Sequence, residues 1–345
     1  MCAALEALED ALGQASFDEE RFDEAARKAE ALVGEHLARW RKSELREYAE
    51  SIGVAVAVAL LLSVFVIEAF KIPSGSMVPT LTVGDYIFVA KYAYGPLLPW
   101  SDARLFSRLP PERGDAVVFK FPETKDQDFI KRVVALPRDK LEALDGRPVI
   151  NGWLVPHCYV GHYGDALGLD EMSAGELYLE FLGDKVYLTR HNERPNRAPT
   201  AAPGDGEQPC RADEECGGPP RACRGGLCGV LQGARDPAGL QVVGPYAVAP
   251  GEVWVMGDNR NNSHDSRSWR GGRGGGVPLE NIKGRAMFVW LSWDPQGGVA
   301  TDRLFVNVMG SPKLPSGPAA ALVAGVERCL RARPPPSQTT PPAPR

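Results

Sequence analysis

One run constrains this chain before anything else. Ile52 to Ile67 reads IGVAVAVALLLSVFVI, sixteen residues without a charge or a proline. A bilayer core needs about 20 apolar residues, with a lower limit near 17. Counted from Ser51 to Phe70, with Glu68 near one interface, the run just reaches that length. The competing explanation is a buried core helix. About fifty residues precede the run, far more than the n-region of a cleaved signal peptide, so it reads as an uncleaved anchor.

Charge gives the anchor a direction. Arg39, Arg41, Lys42 and Arg46 lie just before the run, whereas the stretch after it carries only Lys71 until Lys91. The positive-inside rule then puts the N-terminus in the cytoplasm and everything after residue 71 outside. Three parts follow: a cytoplasmic segment over 1–50, a transmembrane helix over 51–70 and an extracytoplasmic remainder.

Residues 1–46 read as helical. Ser16 and Glu19 have capping-box spacing, and Phe22, Ala25, Ala26, Ala29, Leu32, Val33, Leu37 and Trp40 follow at i, i+3, i+4 and i+7 intervals. Either a protein-docking helix or a plain juxtamembrane helix fits that stripe. After residue 71 the period becomes that of strands. Asp85–Lys91, Asp115–Lys120, Phe129–Val134, Gly251–Met256 and Gly284–Trp290 are short β-branched and aromatic runs punctuated by Gly, Pro and Asp. The 37 glycines and 30 prolines argue against a helical bundle and for many turns. The expected fold is mainly β, an antiparallel-sheet domain over 71–310 behind a single N-terminal transmembrane helix and a helical cytoplasmic segment. An insertion at about 145–250 reads as less regular, and 311–345 as a Pro-rich disordered tail in which Ala319 to Leu330 could form a brief helix. With 39 Lys plus Arg against 44 Asp plus Glu there is no basic footprint for nucleic acid.

Four of the seven cysteines, Cys210, Cys216, Cys223 and Cys228, fall in one loop at 210–228; Cys2, Cys158 and Cys329 are scattered. The cluster lacks paired C-x-x-C knuckles and contains no histidine, which disfavours zinc. Outside the cytoplasm, two disulfides are the natural expectation. Any of three pairings is open.

Three motifs carry chemistry. Ile72-Pro-Ser-Gly-Ser-Met-Val-Pro-Thr-Leu81 follows the apolar run, with two serines flanking a glycine. In Phe129-Ile-Lys-Arg-Val-Val134, strand alternation puts Lys131 on one face with Phe129 and Val133. Desolvation there would lower the lysine pKa and leave a neutral amine able to take a proton. Gly257-Asp-Asn-Arg-Asn-Asn-Ser-His-Asp-Ser-Arg267 has more short hydrogen-bonding side chains than a turn requires, and Asp265 could pair with Arg267.

In chain order these blocks, with Arg113-Gly-Asp-Ala-Val-Val-Phe119 and Lys131-Arg-Val-Val-Ala-Leu-Pro137, resemble the type I signal peptidases, membrane-bound serine proteases. The resemblance implies Ser76 as nucleophile and Lys131 as general base. It implies an oxyanion hole from the Ser74 hydroxyl and the Ser76 amide, with Ser263 orienting the Lys131 amine. Asp265, Arg267, Arg132 and Asp258 become supports. Met77 becomes a pocket-lining or membrane-facing residue. A Ser-Lys pair is a known variant of triad chemistry. The resemblance further implies signal-peptide-bearing preproteins cut after small residues at −3 and −1. The partners it implies are these preproteins, the lipid bilayer and the secretion translocon. It implies no cofactor or metal, and a place in the bacterial inner membrane, single-pass, with the catalytic domain periplasmic. His264 departs from the small residue usual in that family. A Ser-His-Asp reading of it is disfavoured because neighbours on an extended segment point to opposite faces. Two rivals stay open. One is another Ser-Lys hydrolase, although Ser76-Met-Val-Pro79 does not supply the Ser-x-x-Lys of penicillin-binding proteins. The other is a membrane-anchored binding module with no enzymatic activity.

Overall fold

The computed structural model describes residues 2–13, 18–37, 43–95, 104, 109–163, 175–192, 242–293, 297–314 and 320–344. Two compact units divide the chain, residues 1–61 and 62–345.

In the first unit, α1 (Cys2–Leu12) packs against α2 (Glu19–Leu37). The expected stripe is present: Phe22, Ala25, Ala26, Ala29 and Leu32 are half-buried while their charged neighbours are exposed. The cap differs from the expectation. Asp18 Oδ1 accepts the Arg21 N–H at 3.3 Å, and Glu19 and Glu20 fill the first turn, where the helix dipole favours them. Ser16 and Trp40 lie outside the described residues. Helix α3 (Glu44–Phe65) begins at Ser43, whose Oγ accepts the Arg46 N–H at 3.3 Å.

Among the described residues α3 is the one helix long and apolar enough to cross a membrane, over Leu45–Phe65. Its 21 residues span about 31 Å at 1.5 Å per residue. Its apolar side chains are bare, with Val54 64% and Leu60 60% exposed. The helix expected over 51–70 thus begins earlier, at Glu44, and ends at Phe65. Ile67-Glu-Ala-Phe-Lys71 is a β-strand instead of the last helical turn, and Glu68 pairs with Lys91 at 2.8 Å. Ile67, Ala69 and Phe70 fit either element by composition. Here the antiparallel partner Tyr86–Ala90 claims them for the sheet.

Among the described residues the second unit has fourteen strands: β1 (Ile67–Lys71), β2 (Asp85–Ala90), β3 (Ala116–Lys120), β4 (Asp128–Ala135), β5 (Lys140–Leu144), β6 (Arg147–Ile150), β7 (Trp153–Leu154), β8 (His157–Tyr163), β9 (Gly175–Leu182), β10 (Lys185–His191), β11 (Val242–Ala247), β12 (Glu252–Met256), β13 (Val277–Pro278) and β14 (Ile282–Ser292). All five strand runs expected from the sequence are among them. A seven-stranded antiparallel sheet runs β1-β2-β14-β3-β4-β12-β13. Its alternating residues feed two cores. Ile87, Val89, Ala116, Val118 and Val289 face one with Ile72, Met77 and Leu81; Val117, Phe119, Val133 and Val255 face the other with Trp269. Over β3, β4 and β12 both faces are covered, so those strands read as nearly continuous apolar runs.

The insertion is more regular than expected. Its described residues include β6 to β11, which make a three-stranded sheet β10-β9-β8 and most of a four-stranded sheet β11-β5-β6-β7. Their alternation is masked in the sequence because β9 is buried along its whole length. The Cys210, Cys216, Cys223 and Cys228 loop lies outside the described residues.

The expected disordered tail is also corrected. Helix α4 (Ala320–Arg331) buries Leu322, Val326 and Cys329 against Val160, Leu177, Phe181 and Leu188 of the three-stranded sheet. A disulfide joins Cys329 to Cys158 of β8, with Cα atoms 5.7 Å apart. Further along, the Thr339 hydroxyl donates to the Gly183 carbonyl at 2.7 Å, and Asn151 Nδ2 donates to the Pro342 carbonyl at 2.7 Å. Proline content predicted a loose end, but three apolar residues on one helical face and a covalent bond outweigh it.

Candidate active site

The turn after β1 and the strand β4 supply two reactive side chains to one point. Gly75–Met77 forms a single 3-10 turn closed by the Val78 N–H on the Gly75 carbonyl. N–H groups at the start of such a turn have no partner within it, and Ser76 sits there. Lys131 reaches the turn from β4, with its Nζ 2.7 Å from Ser76 Oγ. The amine also donates to the Ile130 carbonyl at 2.9 Å and lies 5.3 Å from the centre of the Phe129 ring. Lys131 is 4% exposed, and burial is the main cause that brings its pKa down to about 8; the charges of Asp265 and Asp258 oppose the shift, and Arg267 adds to it. The expected apolar flanks are in place, because Val133 is fully buried and Phe129 covers the other side.

Ser74 is exposed, with its Oγ 3.4 Å from Ser76 Oγ, so its hydroxyl lies beside the nucleophile candidate. Ser263, expected to orient the Lys131 amine, packs against Gly257, while the amine bonds Ser76 and the Ile130 carbonyl. A Cβ on Gly257 would stand 2.2 Å from Ser263 Oγ and 2.4 Å from the Ser76 carbonyl oxygen, so only glycine fits there. Met77 is corrected. It is fully buried in the core under the sheet, so it faces neither membrane nor groove.

One buried ion pair ties the loop 257–267 to β4, and a second braces the loop internally. Arg132 donates from Nε and Nη2 to the two oxygens of Asp258 at 2.7 and 2.6 Å, and from Nη1 to the Gly114 carbonyl at 2.7 Å. Thr80, four residues past Ser76, donates its hydroxyl to Asp258 Oδ2 at 2.5 Å. The Asp265–Arg267 pair expected from the sequence is present as a fork, with both oxygens 2.8 Å from guanidinium nitrogens. Burial alone would raise the Asp265 carboxyl, but Arg267, by charge and hydrogen bonding, and the Gly257 N–H keep it below its ordinary value.

Sequence reasoning missed Asn259, Arg190 and the Arg260–Glu180 pair. The Asn259 N–H donates to the Ser76 carbonyl at 3.1 Å and its side-chain amide to the Gly75 carbonyl at 2.9 Å, bracing the turn from behind. Arg190 of β10 in turn donates to Asn259 Oδ1 at 2.7 Å, and its backbone bridges Asp258 and Arg260. Arg260 forks onto Glu180 of β9, both side chains fully buried. Nothing in the local sequence marks these partners, which are 69 and 80 positions apart.

The turn and β4 line a groove of about 510 Å³. One wall is apolar, with Phe70, Ile72, Val118 and Ile130; Phe129, Asn262 and His264 also line it. His264 Nδ1 is 3.0 Å from Ser268 Oγ.

The sequence profile of the signal peptidase family, peptidase S26, matches residues 45–293. The chain belongs to this family. Peptidase S26 members are serine endopeptidases, and this chain is one by membership. Among its relatives are a signal peptidase I of Pseudomonas fluorescens, 35% identical over 255 residues, and one of Pseudomonas aeruginosa, 34% identical over 259. These alignments cover 72% and 73% of this chain and 73% and 75% of the relatives. A signal peptidase I of Rickettsia typhi is 31% identical over 272 residues, covering 75% of this chain and 86% of the relative. The matched region contains the Ser76 turn, β4 and the loop 257–267.

Proposed function

We infer that this peptidase removes signal peptides from exported preproteins, with Ser76 as nucleophile and Lys131 as its general base. The observation that carries the reading is the 2.7 Å contact between Ser76 Oγ and a buried amine whose pKa is near 8. A serine hydroxyl needs an adjacent base, and a lysine serves only when its neutral form is populated.

Neutral Lys131 takes the Oγ proton as Ser76 attacks the scissile carbonyl carbon. The oxyanion that forms meets the Ser76 N–H and the Ser74 hydroxyl. Lys131, now an ammonium, gives its proton to the departing amine and leaves an acyl-enzyme. A water deprotonated by the same amine then frees Ser76. Asn259 and the Arg132–Asp258 pair keep the turn and the strand in register through both steps.

The apolar wall of Phe70, Ile72, Val118 and Ile130 suits small side chains at −1 and −3 of an extended substrate, whose alternate residues share one face. Helix α3 suits a signal-anchor with a cytoplasmic N-terminus, a single pass through the inner membrane and the catalytic domain on the outer side. The aromatic side chains of Tyr86, Phe88, Phe288 and Trp290 cluster on the sheet, and Phe305 beside them is 74% exposed; such a surface suits a lipid face.

The test is cleavage of a preprotein by the detergent-solubilised full chain. Cleavage should rise with pH through about 8, because the base is inactive while protonated and becomes neutral above its pKa. It should vanish in Ser76→Ala. A folded but inactive wild-type chain overturns the reading and favours a binding module.

A further inference from the structure

We propose that Arg190 of β10 is a positioning residue for the oxyanion site: acting through Asn259, it sets the direction of the Ser76 N–H. This rests on the reading just given, in which that N–H meets the oxyanion.

Asn259 grips both peptide planes that flank Ser76. Its side-chain amide donates to the Gly75 carbonyl at 2.9 Å, and its backbone N–H donates to the Ser76 carbonyl at 3.1 Å. The Gly75–Ser76 peptide is trans, so its C=O and N–H point opposite ways in one rigid plane. Holding the Gly75 oxygen on Asn259 therefore turns the Ser76 N–H the other way, off the loop 257–267. Asn259 is buried behind the turn, and Ser74, Gly75 and Ser76 line the groove in front of it.

Arg190 decides which end of the Asn259 amide faces the turn. A guanidinium only donates, so the atom 2.7 Å from Arg190 Nη1 must be the Asn259 oxygen. The amide nitrogen is then left for the Gly75 carbonyl. Without the guanidinium the amide can rotate, and an oxygen turned toward Gly75 meets a carbonyl it cannot bond. Arg190 is itself fixed. It is buried, its backbone N–H donates to the Asp258 carbonyl at 2.8 Å, and its carbonyl accepts the Arg260 N–H at 2.9 Å. Its Nε lies 3.1 Å from the place of a Cβ on Gly175 of β9. A residue of the three-stranded sheet thus orients a peptide group at the reactive serine.

The test measures kcat and KM for preprotein cleavage by the full chain in detergent, with inhibition by two peptides of one signal-peptide sequence. One ends at −1 in an aldehyde, which Ser76 attacks to give a hemiacetal whose oxygen occupies the oxyanion site. The other ends in the unreactive alcohol and only fills the groove. Arg190→Met removes the side-chain donor and keeps the backbone bonds. It should lower kcat about tenfold, part of the roughly 10²–10³-fold that one oxyanion donor is worth, with KM within about twofold. Aldehyde binding should weaken about tenfold as well, and alcohol binding should stay within about twofold. The midpoint of the pH profile should remain at about 8, because the charges acting on Lys131 are those of Asp265, Asp258 and Arg267. Asn259→Asp keeps an acceptor for Arg190 and loses the donor to Gly75. It gives the same comparison if the Met variant folds poorly, with a fall of about 10²-fold. Equal weakening of aldehyde and alcohol makes Arg190 structural and overturns the proposal, as does an unchanged kcat or a moved pH midpoint. A wild type that neither cuts preprotein nor binds the aldehyde better than the alcohol overturns the underlying reading and this proposal with it.

Discussion

The part of the seven-stranded sheet around β4 and the three-stranded sheet under α4 are built on opposite principles. The first buries charge: Lys131, Arg132, Asp258 and Asp265 are all at most 4% exposed around the Ser76 turn. The second buries Val160, Leu177, Leu179, Phe181 and Leu188 and closes with a disulfide. Burying charge costs solvation even when pairs form, so the first region gives up stability for a neutral amine and a fixed turn. Apolar burial and a covalent link return it elsewhere. The two meet through Arg190 and Glu180, whose side chains leave the three-stranded sheet to hold Asn259 and Arg260.

The sharpest break of this contrast is at the reactive pair. Ser76→Ala or Lys131→Ala should lower kcat by about 10⁴-fold or more in preprotein cleavage. Thermal unfolding of Lys131→Ala should occur at an equal or higher temperature, since a desolvated amine is removed. A destabilised Lys131→Ala would mean that the lysine is structural. Next, Asp258→Ala should lose about 3–5 kcal/mol in denaturant unfolding, because it strands buried Arg132 without its partner. Ser74→Ala should slow kcat by about 10²–10³-fold, the usual worth of one oxyanion donor, with unfolding unchanged. The smallest effect on catalysis belongs to the other region. Cys158→Ser should cost about 2–4 kcal/mol of stability while kcat stays within a few-fold. If kcat fell as far as in Ser74→Ala, the division between the two regions would be wrong.

Strand periodicity made β2, β3, β4, β12 and β14 legible, since their apolar and β-branched residues sit between turn formers. The neighbours of Lys131 were legible for the same reason: alternation alone puts Phe129 and Val133 beside it. The end of α3 was not, because Ile67, Ala69 and Phe70 suit a membrane helix and a strand equally. The choice depends on hydrogen bonds to β2. The bond from the Lys131 amine to the Ile130 carbonyl was not legible either, because no sequence displays a backbone acceptor. Cys158 and Cys329 looked scattered because their bond closes over 171 positions. Arg190 and Glu180 were invisible for the same reason, since their partners are fixed only once β9 and β10 stack beside the loop.

The Cys158–Cys329 bond also has a topological consequence. It makes a covalent ring of everything between those residues, including the stretch from 193 to 241 that leaves β10 and returns at β11, and the whole loop 257–267. A protease that cuts this ring once frees no fragment: the two chains it makes stay linked by the disulfide, and both remain joined to α3 through β1. Such a nicked molecule runs at full mass until a reductant is added. Its Ser76 turn and its loop 257–267 remain tied to each other however often the ring is opened at a single place.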